Sequence, residues 1–213
     1  MAIEITKPRV IICEGESDVA FFDHLISNRG LPEFQALSAN GRTRFESVLV
    51  ALSAASGFNE LAGILVVGDN DLDPATSFRN IQTQIQAAGG YGVPERPGEP
   101  AKEAGFPAIV AMMVPWDGRT GCLETLLLEA VREVHPDLGV CVDGYAACTH
   151  VDVWNETELP KVKLQSLTAV ICRSNPTVAL RYAWGQREDI IPLGRPCFDQ
   201  IVEFLRTFPD LIA

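Results

Sequence analysis

Hydrophobic positions along the chain fall into alternating blocks of two kinds. Short apolar or β-branched runs occur at Arg9–Cys13 (RVIIC), 34–37, 64–67 and Ala108–Val114 (AIVAMMV). Their length and content fit strands buried on both faces. Between them, apolar residues recur at three- and four-residue spacing: Val19, Phe22, Leu25 and Ile26, then Phe45, Val48, Leu49 and Leu52, then Phe78, Ile81 and Ile85. That spacing puts one apolar stripe on a helix. Ser17 is the expected cap of the first helix, with Asn28 and Gly30 as its stop. Thr43 is expected to cap the second, and Pro74 and Gly89-Gly90 to bound the third. Residues 91–107 are rich in Pro and Gly, lack a period and read as a surface excursion. The order β-α-β-α-β-α-β predicts an α/β fold: a four-stranded, mainly parallel, Rossmann-like sheet covered on both faces.

Beyond the turn at 115–121 (PWDGRTG) the pattern is helical. Leu123, Leu126, Leu127 and Val131 form one face of a helix beginning near Cys122, with Glu124 in its first turn. Further helices are expected at 137–150, after a polar break at 152–160, and at the end, where Phe198, Ile201, Val202 and Leu205 make a stripe. The expected division is an α/β core at 1–118 and a helical extension at 119–213, packed together as one unit. The last helix is expected to cap the sheet, with a homodimer as the alternative use of its apolar face.

Composition narrows the class. With 213 residues, 47% hydrophobic and 21% charged, the chain fits a globular protein with a sizeable core. No apolar run approaches the ~18 residues of a membrane span. The start lacks the basic-then-apolar layout of a secretory signal, so the expectation is a cytoplasmic protein without a membrane partner. The six cysteines form no C-x-x-C pair and mostly lie in apolar patterns, which reads as reduced, buried thiols. His24, His135 and His150 have no cysteine at ligand spacing. Trp116, Trp154 and Trp184 read as packing residues. A net charge of −11 argues against tight, non-specific binding to nucleic acid through counterion release. Binding through a metal ion and a local basic patch stays open.

The chemistry concentrates at strand ends. After Gly63–Asp69 the chain continues Asn70-Asp71-Leu72-Asp73-Pro74, placing Asp69, Asp71 and Asp73 at alternate positions. In an extended segment these share a face, and a divalent cation is the usual compensation for such crowding. The competing reading is a solvated acidic turn before a helix. Glu14 ends the first strand and is followed by Gly15 and Asp18. Parallel strands bring their carboxyl ends to one edge, where open α/β sheets bind ligands. Hard oxygen donors there suit Mg2+ or Mn2+, which position phosphates. Arg42 and Arg44, beside the Asn40-Gly41 turn, are candidate phosphate-binding cations.

Ile12-Cys13-Glu14-Gly15-x-x-Asp18, together with Leu65-Val66-Val67-Gly68-Asp69-x-Asp71-x-Asp73 after the third strand, resembles the Toprim domain of topoisomerases, primases and OLD-family nucleases. The form is most similar to the OLD and small stand-alone branches and covers roughly 8–115. The resemblance implies a Toprim sheet and metal-dependent, nuclease-like phosphodiester chemistry on DNA or RNA. It makes Glu14 a general acid/base or metal ligand, with Gly15 at the phosphate and Asp18 among the metal-binding carboxylates. It gives the metal to Asp69 and Asp71, assisted by Asp73. It also implies a further acidic residue and a lysine downstream, for which Glu124 and either Lys161 or Lys163 are the candidates.

Departures limit the likeness. The chain has no Gly-x-x-x-x-Gly-Lys-Ser/Thr loop of a fused ATPase. Tyr91, Tyr145 and Tyr182 lie in no context that marks a topoisomerase nucleophile. Two alternatives follow. One is a non-catalytic, metal-binding Toprim module serving as a subunit of a defence or DNA-repair complex, with a partner ATPase. The other is a haloacid-dehalogenase-like phosphatase with Asp69 as nucleophile, which leaves Glu14 without a role. An EF-hand is excluded by Pro74 and Asn80, where glycine and glutamate are needed.

Overall fold

The computed structural model describes residues 3–116, 118–155 and 157–213. Asp117 in the 115–121 turn and Glu156 in the polar break lie outside the described residues. In chain order the elements are β1 (Arg9–Cys13), α1 (Glu16–Arg29), β2 (Gln35–Ser38), α2 (Phe45–Ser53), β3 (Gly63–Asp69), α3 (Pro74–Ala88), β4 (Pro100–Ala101) and β5 (Ala108–Val114). Then follow α4 (Leu123–Val134), α5 (Pro136–Thr149), α6 (Leu159–Ile171) and α7 (Asp199–Leu211), with short 3-10 turns between.

The sheet order is β2-β1-β3-β5-β4, with the first four strands parallel and β4 antiparallel to β5. The sheet is therefore mixed and five-stranded, where the hydrophobic pattern gives four strands. Two residues carry no period, so β4 is silent in the sequence. Pro100 suits that outer position because an edge strand leaves a missing N–H unneeded.

In-register pairing explains why the strand sequences are apolar throughout. Ile11, Leu65 and Val110 lie side by side, as do Ile12, Val66 and Ala111. The first row packs under Phe21, Phe22 and Leu25 of α1, Leu127 of α4, and Leu205 and Phe208 of α7. The second row meets Leu49 and Leu52 of α2 and Ile81 and Ile85 of α3. Each such side chain, fully buried, contributes about 1.5–3 kcal/mol. The stripe of α7 (Ile201, Val202, Leu205 and Phe208) is buried, so the last helix caps the sheet. A Cβ on Gly63 would lie 2.5 Å from Ile212 Cδ1, so glycine at the start of β3 lets the chain end seat there.

Two helix starts differ from expectation. Gly15, not Ser17, is the cap of α1, and its N–H donates to Asp18 Oδ2 at 2.8 Å. Thr43 does not cap α2. Instead Gln84 of α3 accepts the Phe45 N–H at 2.9 Å, a long-range substitute for a local cap. No described helix is long and apolar enough to cross a membrane.

Candidate metal centre at the carboxyl edge of the sheet

β1 and β3 end side by side, which brings Glu14 onto the last residues of β3. The Asp69 N–H donates to Glu14 Oε1 at 3.0 Å. Gly68 makes this approach feasible, because a Cβ there would sit 2.6 Å from Ile81 Cδ1 and 3.3 Å from Glu14 Oε1. Asp69 Oδ1 accepts the Leu123 N–H at 2.9 Å, so this carboxylate sits against the electropositive first turn of α4. Glu124, also in that turn, lies with Asp69 and Cys122 in a group whose ligand atoms are all within 4.8 Å of one another.

Phe22, Val67, Val114 and Leu123 line the inner side of Glu14, Asp18 and Asp69. Burial pushes the Glu14 carboxyl up to about 7. Its contact with the Asp69 N–H and the nearby Arg42 oppose the rise, while Asp18 and Asp71 add to it. Burial, reinforced by Glu124, pushes Asp18 up to about 6. Asp69 is raised for the same reason, with Glu14, Asp18 and Glu124 adding like charge. Among the described residues no lysine or arginine forms an ion pair with Glu14, Asp18 or Asp69.

The acidic loop departs from simple alternation. Asn70 is buried, and its Nδ2 donates to the carbonyls of Pro115 at 2.6 Å and Arg119 at 2.7 Å. Asp71 exchanges two backbone hydrogen bonds of 2.8 Å with Gly121 and turns at φ 50°. That turn sends the three aspartates in different directions. Asp69 faces Glu14 and α4, while Asp71 Oδ2 accepts from Arg42 at 3.1 Å. Asp73 caps α3, accepting from the Ala75 and Thr76 N–H groups at 3.1 and 3.2 Å and from the Thr76 hydroxyl at 2.6 Å. These bonds, the Thr76 hydroxyl first, hold its carboxyl below the usual range. For Asp73 the structural role of the acidic-turn reading is the one observed, and a metal role is set aside.

The cations sort as sharply. Lys161 stands near Glu124, Cys122, Asp69 and Asp71. Loss of solvent acts downward on its ammonium, but these groups together hold its pKa above the ordinary lysine value. Lys163 points elsewhere and donates to Asp143 at 2.8 Å. Arg42 lines the cleft that opens on the site, and Arg44, at the start of α2, does not. The Gly15 N–H is used by Asp18, which removes the donor expected for a phosphate.

Cys122 was read from the sequence as a core thiol. It is fully buried, yet its Sγ sits beside the Asp69 and Glu124 carboxylates and 3.5 Å from the Thr157 carbonyl. Burial, then the neighbouring carboxylates, raises its pKa far above the thiol range.

A family model described as a protein of unknown function, DUF3226, matches residues 8–209. The chain belongs to the DUF3226 family. The matched span holds the whole sheet, the carboxylate edge and α7 up to Pro209, so the helical C-terminal half is part of what defines the family. No curated protein and no solved structure matches the chain. The family description carries no activity.

Proposed function

We propose that this DUF3226 protein performs divalent-metal-dependent phosphodiester chemistry on nucleic acid at the carboxyl edge of its sheet. One observation carries the reading: Glu14, Asp18 and Asp69, from separate elements, are packed together against apolar side chains, and among the described residues none has a lysine or arginine ion-pair partner. Such a cluster costs stability unless a positive charge joins it. The carboxylates of Asp69 and Glu124 bring oxygens within 4.8 Å of each other beside Cys122, and carboxylate oxygens suit a hard ion. Asp69 and Glu124 would hold Mg2+ or Mn2+.

When bound, the ion supplies positive charge against the phosphodiester oxygens. The chain does the rest. Glu14 Oε1 is anchored by the Asp69 N–H, which leaves Oε2 free to take a proton from an attacking water. Arg42 and Lys161 add positive charge beside the same carboxylates. Asn70 and the Asp71–Gly121 bridge fix the acidic loop to the loop before α4, holding Asp69 and Glu124 in register.

The test is nicking of plasmid and cleavage of labelled strands with Mn2+ or Mg2+, using wild type, Glu14→Gln and Asp69→Asn. Metal-dependent cleavage lost in both variants supports the reading. Metal binding by calorimetry without cleavage on any substrate would replace it with a non-catalytic module, and absence of metal binding would remove the centre altogether.

A further inference from the structure

The cleft beside the carboxylates is larger than a metal centre requires, at about 690 Å³, within the usual range of small-molecule sites. It extends from Asp71 along α3, whose Thr76, Asn80 and Thr83 line it at helical spacing. Most of its polar groups are already engaged. The Thr76 hydroxyl donates to Asp73, the Thr83 hydroxyl to the Arg79 carbonyl, and the Gln84 amide to the Arg42 carbonyl. Among the described residues the side chains of Asn80 and Thr43 have no hydrogen-bond partner, and Asn155 uses only its Oδ1, accepting from Thr157 and Glu158. Beside them Leu72 is 57% exposed on the cleft wall.

Free neutral amides and a hydroxyl, an exposed apolar side chain and one cation, Arg42, make an unusual lining for phosphates alone. A polyphosphate calls for several cations or an open helix N-terminus, and the N-terminus of α3 is closed by Asp73. A nucleoside fits better, since its base edge alternates donors and acceptors and its face is apolar. We infer that the cleft seats an unpaired nucleoside beside the reacting phosphodiester, so that the substrate is a single strand of DNA or RNA and not a duplex. This inference rests on the phosphodiester reading. A duplex keeps its bases stacked and paired and must flip one out to fill the cleft. The net charge of −11 points the same way, because gripping a duplex by its phosphates depends on many lysines and arginines.

The experiment measures anisotropy of a short labelled DNA strand, its RNA counterpart and a hairpin duplex of the same sequence, in EDTA to prevent cleavage. Wild type is compared with Asn80→Ala/Leu72→Ala, both on the exposed wall and remote from the core. At least one strand is expected to bind about tenfold tighter than the hairpin. The double variant is expected to lose about tenfold on that strand, with melting temperature and Mn2+ affinity unchanged. Equal binding of strand and hairpin, or a double variant that binds like wild type, overturns the inference. Cleavage is scored separately on the same molecules. Strand-selective binding without cleavage keeps the nucleoside cleft and removes the phosphodiester reading. Cleavage of hairpin and strand at equal rates does the reverse. The DNA and RNA arms decide which strand is taken.

Discussion

Two groups of carboxylates in this chain meet opposite electrostatic fates. Between α4, α5 and α6, Asp143 accepts two bonds from Arg132, at 2.9 and 2.5 Å, and one from Lys163 at 2.8 Å. The Arg132 bonds, then Lys163, pull its carboxyl down to about 2. At the sheet edge, burial and mutual repulsion push Glu14 up to about 7 and Asp18 to about 6. A compensated carboxylate serves the fold. An uncompensated set, kept together by backbone hydrogen bonds, opposes the fold and gains from any cation it attracts. That asymmetry separates a structural network from a candidate site more clearly than the presence of acidic residues does.

The largest expected effect is on activity. Glu14→Gln removes the free carboxylate oxygen but keeps an oxygen for the Asp69 N–H. Asp69→Asn likewise keeps an acceptor for the Leu123 N–H. Each should lower metal-dependent cleavage by about 10²- to 10⁴-fold, the usual range for lost proton transfer. In EDTA both variants should melt at or above the wild-type temperature, since each deletes a repelled charge. The same replacement at Asp143 should lower the melting temperature. A wild-type cleavage rate in either edge variant would sink the assigned roles.

The next effect is on stability against pH, and its sign differs between the two groups. Glu14 and Asp18 have folded-state pKa values above their ordinary 4.5 and 3.8. The folded state therefore binds more protons than the unfolded state between those values and about 7 and 6. Their contribution is fully present below the lower limit and is lost as pH rises through the window, by an amount on the order of 3 kcal/mol for a shift of this size. Asp143, with its pKa lowered from 3.8 to about 2, behaves oppositely: its contribution is present above 3.8 and lost as pH falls toward 2. Urea denaturation from about pH 4 to pH 8 in EDTA should show stability falling across the upper window, less steeply in Glu14→Gln. Saturating Mn2+ should flatten the fall. Identical slopes for wild type and Glu14→Gln would remove Glu14 from this account.

How far the sequence discloses these differences depends on the geometry behind each residue. The strands β1 and β5 carry the predicted bounds because runs buried on both faces leave an unbroken apolar signature. Convergence of Glu14 and Asp69 follows from parallel topology alone. The fate of Asp71 and Asp73 does not, because alternation holds only for extended backbone and Asp71 turns with φ 50°. β4 is too short for a period, and the Phe45 N–H finds its partner on another helix, Gln84, which local capping rules do not reach. Cys122 is buried as its apolar context implies, and only the fold reveals the carboxylates beside it.

A smaller effect tests the aspartate that the fold uses as a cap. Asp73→Ala should lower the melting temperature through the loss of the N-cap bonds. It should leave Mn2+ affinity at the wild-type value, while Asp69→Asn weakens it. Weakened Mn2+ binding in Asp73→Ala would return this residue to the metal set. The expected drop in melting temperature, a few degrees, should persist in EDTA, since the bonds to Ala75 and Thr76 need no ion.

The smallest effect draws the comparison onto one helix. Lys161 and Lys163 are two residues apart on α6, and at i,i+2 spacing they cannot share a face. One therefore serves the carboxylate edge and the other Asp143, a choice that sequence spacing leaves open. Lys163→Met keeps the stem and deletes one of Asp143's two cationic partners. Arg132 remains, so the loss should be on the order of 0.5 kcal/mol, within the range of partly exposed ion pairs. Cleavage and Mn2+ affinity should not change. Lys161→Met should slow cleavage, and in EDTA it should also lower stability, since it removes a cation whose charge the neighbouring carboxylates favour. If Lys163→Met were the variant that slowed cleavage, the α4–α6 network would belong to the site after all, and compensation would no longer distinguish the two carboxylate groups.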